Sequence, residues 1–453
     1  MRSKDKSRRR CLAVVLAAGE GKRMASRKPK VLHELAGQSI LAHVLSAVVQ
    51  AGADTIAVVV GAGQEAVEAE VRRKAPEAAI FVQSEPLGTG HAVLAARTAL
   101  AEGYDDILIA FGDTPLVRPA TFTRLRNALA ERDTAAVILG FEAKDPTGYG
   151  RLVVENDNLL AIREHKDLRE SERDIAWCNA GLMALSGQHS LTLLDSIGTA
   201  NAQGEYYLTD VVERAASMGL GARVLTVAEE EVLGINDRVQ LAAAEAVLQT
   251  RLRADAMRKG VTFVDPSSVH LSFDTDLGPD VTIEPNVFFG PSVRVGAGTA
   301  IRAFCHIEGA KIGDGCIVGP FARLRPGTEL ESGVHIGNFV EVKASRLGEG
   351  VKANHLAYIG DATIGAHTNI GAGAITCNYD GFTKFKTEVG EGSFIGVNSA
   401  LVAPVKIGAG AYIGTGSVIT KDVAPDALAV ARERQVERPG WAAAFRAKHK
   451  KPR

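Results

Sequence analysis

Two architectures are predicted along one 453-residue chain: an α/β domain with a mostly parallel sheet, then a parallel β-helix. Three observations predict them. Apolar runs alternate with helix-like segments up to about residue 235. The first of these runs ends in a glycine turn carrying cations, CLAVVLAAGEGKRM (11–24). Beyond residue 260, aliphatic residues recur six apart in two unbroken series.

Residues 1–10, MRSKDKSRRR, form a basic leader. With CLAVVLAA behind it, the leader has the outline of a signal peptide. The apolar part is barely long enough and runs straight into the glycine turn, so a disordered leader on a cytoplasmic protein is expected. Cys11, Cys178, Cys305, Cys316 and Cys377 are odd in number and include no CxxC, the usage of a reducing compartment. A net charge of −1 gives no basis for binding nucleic acid or an anionic membrane. No apolar run approaches the roughly eighteen residues of a membrane helix.

The α/β domain is expected over 11–237. Runs at 12–18, 56–60, 80–82, 107–111 and 136–141 read as buried strands, with helices near 39–51 and 64–74 between them. Ligands of such sheets bind at the carboxyl ends of the strands. Met24 stands where the dinucleotide fingerprint needs a third glycine or alanine, and no GxxxxGK[ST] spacing occurs. The run Gly61 to Ala66 does fit GxGxxA, but a βα turn favours glycine for structural reasons alone. The opening turn differs in gathering Lys22, Arg23 and Lys30. Freed backbone amides plus fixed positive charge suit a triphosphate; a solvated lysine cluster is the alternative. Asp113 ends the strand DDILIAFGD, where a carboxylate can hold Mg²⁺ against phosphate oxygens. With Thr114-Pro115 following, it also suits a helix N-cap.

Leu241, Ala244, Leu248, Leu252 and Ala256 form one helical stripe, so 238–260 is expected as a linker helix stopping at Lys259-Gly260. The β-helix is expected over 261–437. Ile312, Val318, Leu324, Leu330, Ile336 and Val342 lie six apart, as do Val389, Ile395, Leu401, Ile407, Ile413 and Ile419. Many precede glycine, and the small residue allows a corner. NYDGFTKFK breaks the rhythm and should loop away from the prism. A thin prism has flat faces that associate, so a trimer is expected. Residues 438–453 read as a solvated basic tail.

LAAGEGKRM, Pro29-Lys30, Gln83, LGTGHA (87–92), FGDTPL and GYGR (148–151) together resemble the sugar-1-phosphate nucleotidyltransferases. NAQGEYYLTD, GIND, GPFARLRPG, GNFVEVKASRLG, NHLAYIGD and NIGAGAITCNYDGFTKFKT then follow in turn. The whole order resembles the bacterial bifunctional N-acetylglucosamine-1-phosphate uridylyltransferase/glucosamine-1-phosphate N-acetyltransferases. That resemblance implies a Rossmann-like nucleotidyltransferase domain, a linker helix and a left-handed parallel β-helix of hexapeptide repeats. It also implies two reactions: acetyl transfer from acetyl-CoA to glucosamine-1-phosphate, then uridylyl transfer from UTP to N-acetylglucosamine-1-phosphate.

By the same resemblance, Leu16, Ala17, Ala18, Gly19, Arg23, Lys30, Gln83, Gly88 and Thr89 would bind UTP, continued by Phe111, Gly112 and Asp113. Gly150, Glu164, Asn179 and Asn236 would line the sugar side, with Asp113 and Asn236 as Mg²⁺ ligands. His355 would be the general base, a task suited to an imidazole. Alone, it would read as a satisfied corner residue. Arg325, Lys343, Tyr358, Asn369 and Lys384 would hold glucosamine-1-phosphate; Ala372, Asn378, Tyr379, Val397, Thr415 and Arg432 would hold acetyl-CoA. Val397 and Thr415 depart from the serine and alanine expected there. A uridylyltransferase on a merely structural β-helix would not need His355, Arg325 and Lys343 together. A decayed scaffold would not keep Lys30 and Asp113.

Overall fold

The computed structural model describes residues 9–19, 21–131, 134–155 and 158–449. Residues 1–8 of the expected leader, 450–453 of the expected tail and the Lys22 side chain lie outside the described residues. Residues up to Arg251 form one compact unit, and those from Leu252 a second.

The first unit is built on β1 (Cys11–Leu16), α1 (Ile40–Gln50), β2 (Thr55–Gly61), α2 (Glu65–Lys74), β3 (Ala79–Gln83) and α3 (Thr89–Ala95). It continues with β4 (Asp106–Phe111), α4 (Pro119–Leu129), β5 (Thr134–Glu142), β6 (Arg151–Glu155), β7 (Asn158–Arg163), β8 (Trp177–Ser186) and β9 (Gly221–Thr226). The strand order is β9-β5-β8-β4-β1-β2-β3, with β6 and β7 joined beside β8. On the main path β8 alone runs antiparallel to its neighbours. All six residues of β1 are buried because both faces of the sheet are covered. Ala13 and Val15 enter one apolar cluster, while Leu12, Val14 and Leu16 enter the other, as the two-residue period requires.

The expected leader is corrected at its end: Arg9 and Arg10 are held against the sheet. The Arg9 guanidinium donates to Asp106, and the Arg10 N–H donates to Asp105 Oδ2 at 2.7 Å. Asp106 is 1% exposed and also takes Arg126 Nε at 3.1 Å, so one buried carboxylate sits between two guanidiniums.

Helix α5 (Arg238–Arg258) follows. Leu241, Ala244, Val247 and Leu248 pack with Leu35, Ile40, Leu116 and Ile235 of the first unit. Leu252 and Ala256 pack on the core of the second. Gly260, at φ +96°, follows the last turn and donates its N–H to Met257 O at 3.0 Å.

The second unit is a parallel β-helix of three sheets with ten, eight and eight strands. Each strand pairs with the one a coil later, Val318 with Ile336 for example, so three hexads make a turn. All twelve aliphatic residues of the two six-residue series are buried in one continuous core. Glycine is required where coils stack closely: a Cβ on Gly396 would lie 2.5 Å from Ile413 O. Small residues do not occupy every corner, however. Phe304, Phe321 and Phe339 adopt φ between 55° and 61° and stack as an exposed ladder at 4.9 and 5.2 Å. The described part of the expected tail holds an exposed helix, Trp441–His449.

Candidate active sites

The strand ends of the first unit open into two cavities that share Thr89, Phe111 and Asp113. One, of about 580 Å³, is lined by Leu16, Ala17, Ala18, Gly19, Lys30, Gln83, Gly88 and others. The second, of about 280 Å³, takes in Gly150, Glu164, Asn179 and Asn236. The sequence-predicted uridine and sugar sides thus fall into two adjoining spaces that meet at Asp113.

Lys30 Nζ donates to Asp113 Oδ2 at 2.5 Å and to Asn236 Oδ1 at 3.0 Å. Asn236 reaches this point because the Ile235 N–H donates to Asp113 O at 3.0 Å, tying GIND to the end of β4. Gly21, at φ +66°, passes so near Lys30 that a Cβ there would lie 2.4 Å from Lys30 Cβ. The glycine turn therefore lets Lys30 reach the strand ends as well as freeing amides. Gln83, nearly buried, donates to Gly88 O at 3.2 Å and holds the loop before α3. Gly112 lines neither cavity; it packs beneath, its N–H donating to Leu16 O at 2.8 Å. Arg23 is exposed on the turn Lys22–Met24 and lines neither cavity.

On the sugar side, β8 has an irregular register between Asn179 and Met183. Gly181 in that bulge meets the Phe111 ring, and its N–H donates to Asn179 Oδ1 at 3.0 Å. Glu164 accepts from Thr209 Oγ1 at 3.0 Å. Burial raises its carboxyl pKa, and the Thr209 bond opposes that rise.

In the β-helix, Arg325, Lys343 and Tyr358 project from successive coils of one sheet, beside the loop that carries Lys384. The Lys343 pKa is lowered, first by contact with Lys384, with Arg325 adding to the repulsion. Three cations crowded together make a place for an anion. Glu341 steadies Arg325 at 2.9 Å. Asn378 Nδ2 donates to Asp361 Oδ2 at 2.5 Å and approaches Tyr358 Oη at 3.5 Å. The loop after Asn378 does stand away from the prism: Tyr379 and Phe382 are 60% and 94% exposed. Asn369 belongs to a neighbouring sheet, paired with Lys352 and Phe394, and is not brought into the cation cluster within this chain.

His355 stands exposed near a corner of the prism. The predicted acyl-donor positions stack above it. The Gly373 N–H donates to His355 O at 3.4 Å, that of Asn398 to Ala372 O at 2.8 Å, and that of Gly416 to Val397 O at 2.8 Å. Thr415 precedes Gly416, whose Cβ position lies 3.9 Å from Arg432 Cδ. At one coil of about 4.8 Å per step, the row runs about 19 Å from His355 to Arg432. Backbone bonds tie the row together, and the Val397 and Thr415 side chains are exposed along it.

Residues 13–176 match the family model described as a MobA-like NTP transferase domain. Residues 309–344 and 386–421 match that of the bacterial transferase hexapeptide (six repeats). The bifunctional protein GlmU of Xanthobacter autotrophicus is 60% identical over 447 residues, 99% of this chain and 100% of that protein. That of Azorhizobium caulinodans is 58% identical with the same coverage. That of Agrobacterium fabrum is 53% identical over 98% of this chain and 97% of its own. The chain belongs to the GlmU family.

As a GlmU family member it joins a nucleotidyltransferase to a left-handed hexapeptide β-helix acetyltransferase. Sequence reading missed several residues that the fold sets against the predicted site residues: Thr209 on Glu164, Glu341 on Arg325 and Asp361 on Asn378. Each is an ordinary surface type in an ordinary context, so only the tertiary pairing distinguishes it.

Proposed function

We propose a division of labour between the two sites in the synthesis of UDP-N-acetylglucosamine. The β-helix acetylates glucosamine-1-phosphate from acetyl-CoA, and the first unit couples the product with UTP. The observation that carries the uridylyl site is the meeting of two cavities at Asp113, where Lys30 and Asn236 converge.

In that reading UTP occupies the larger cavity and N-acetylglucosamine-1-phosphate the smaller. The sugar phosphate oxygen attacks the α-phosphorus in line, and the bond to pyrophosphate breaks. No protein nucleophile is needed; positioning and charge stabilisation suffice. Asp113 and Asn236 suit Mg²⁺: both oxygens already hold a cation, the Lys30 ammonium. Among the described residues no larger cluster of acidic, histidine or cysteine ligands occurs, so phosphate and water would complete the shell. When bound, the ion would neutralise triphosphate charge and polarise the reacting phosphoryl group. Lys30, released from Asp113, would turn to the phosphates. Glu164 and Asn179 would hold the sugar.

In the β-helix, Arg325, Lys343 and Lys384 hold the sugar phosphate beside Tyr358. His355 takes a proton from the attacking amine as the C–N bond forms and the thioester C–S bond breaks. The row from Ala372 to Arg432, with Asn378 and Tyr379, holds acetyl-CoA. Three copies of the chain assemble through the β-helix, as the exposed Phe304–Phe321–Phe339 ladder and Leu356 beside His355 favour. A neighbouring chain would then supply Asn369 to the pocket, with the arm near Arg432 reaching across. Five free cysteines fit a cytoplasmic enzyme.

The test is thiol release from acetyl-CoA with glucosamine-1-phosphate and no UTP, comparing wild type with His355→Ala. Sugar-dependent release that collapses in the variant supports the reading. Persistence of release removes His355 from its role. A folded wild type that releases no thiol leaves only the uridylyltransferase. Sedimentation at three times the 47.8 kDa chain mass tests the trimer.

A further inference from the structure

We infer that Asn338 is a positioning residue for acetyl transfer, holding the His355 ring in the tautomer that leaves Nε2 free to accept a proton. The inference rests on His355 as the base. Asn338 ends the strand His335–Asn338 and His355 ends Lys352–His355, one coil later, where the two pair in register. Asn338 Oδ1 lies 2.7 Å from His355 Nδ1. Below that bond the Leu356 N–H donates to Asn338 O at 3.0 Å, which fixes the two backbones against each other.

An amide oxygen can only accept. Facing it, Nδ1 carries the proton and Nε2 keeps its lone pair. The matter is consequential because His355 is exposed, and no second hydrogen bond reaches its ring among the described residues. A free imidazole turns about its side-chain bonds and favours the proton on Nε2, the wrong place for taking one from an amine. One neutral side chain therefore sets both the direction and the tautomer of the ring. Of the titratable groups on these two strands, His335, on the strand that carries Asn338, interacts with His355, and Lys352, on the strand of His355, interacts with His335. Neither is an anion that could take over the orienting bond.

Two substitutions separate accepting from donating. Asn338→Leu removes the bond; Asn338→Asp keeps an oxygen that can only accept. In the acetyl-CoA thiol-release assay, Asn338→Leu is expected to lower kcat about 10- to 100-fold with little change in the KM for glucosamine-1-phosphate. Asn338→Asp is expected to recover most of that loss at high pH. Its carboxylate favours the imidazolium, so the acid limb of its kcat–pH profile moves upward. Wild-type kcat in a folded Asn338→Leu protein overturns the inference. So does an Asn338→Asp protein that folds and trimerises like wild type yet stays as slow as Asn338→Leu across the pH range. His355→Ala, run alongside, tells the two failures apart: if it keeps full activity, the base assignment falls first and the inference with it.

Discussion

Replacing Lys30 with methionine tests the centre of the proposed uridylyl site, because its ammonium bonds the two side chains proposed to hold Mg²⁺. Its side chain is 10% exposed and that of Asp113 21%, so the pair is only weakly screened by water. A hydrogen bond between such charged groups is worth about 1.5–3 kcal/mol. Lys30→Met leaves Asp113 without its partner, and a loss of about 2 kcal/mol follows. For a unit of this size that lowers Tm by about 4–8 °C. Mg²⁺ should then restore more stability to the variant than it adds to wild type, where it must first displace the ammonium. Pyrophosphate release from UTP and N-acetylglucosamine-1-phosphate should fall about 10²- to 10³-fold, since a cation facing the reacting phosphates is gone. Thiol release at the β-helix should not change. Thermal melts with and without Mg²⁺, beside a coupled pyrophosphate assay, read all of this. Equal Mg²⁺ shifts in both proteins, with activity within threefold of wild type, would refute the reasoning.

Other perturbations probe separate parts of the molecule. Burial raises the Glu164 pKa, so the folded chain binds that proton more tightly than the unfolded one. Its stabilising contribution is present below the ordinary carboxylate range and is lost as pH rises through the raised value. Glu164→Gln should therefore melt with wild type near pH 4 and above it at pH 8. Its KM for N-acetylglucosamine-1-phosphate should rise about tenfold or more; melts in the opposite order would contradict the burial argument. Asp106→Ala strands Arg9 and Arg126 and should cost about 3–5 kcal/mol in urea unfolding. A cost under 1 kcal/mol would show that the two guanidiniums do not depend on it. Burial pushes Cys11 up to about 12 and Cys305 up to about 11, while Cys377 alone is not fully buried. A thiol reagent at pH 8 should modify one cysteine in the native protein and the other four only after unfolding.

What the sequence determined by itself is whatever a local pattern encodes. The hexad period places Ile312 through Val342 and Val389 through Ile419 in the core, because each inward position needs only its own spacing to be recognised. The opening strand, its glycine turn and the acidic strand end at Asp113 are legible for the same reason. With the motifs in their order, they place most of the predicted uridylyl residues along two adjoining cavities. What only the tertiary structure decided is pairing at a distance. Nothing in GIND says that Ile235 will bond to Asp113 O and carry Asn236 to Lys30. Nothing local puts β8 antiparallel between β4 and β5, or bulges it at Asn179. In the β-helix, the stacking register brings Asn338 under His355, crowds Lys343 against Lys384 and leaves Asn369 on another sheet. Hydrophobic periodicity specifies which residues turn inward. Which outward residues meet depends on backbone register between coils and strands far apart in the chain, and that exists only once the core has closed.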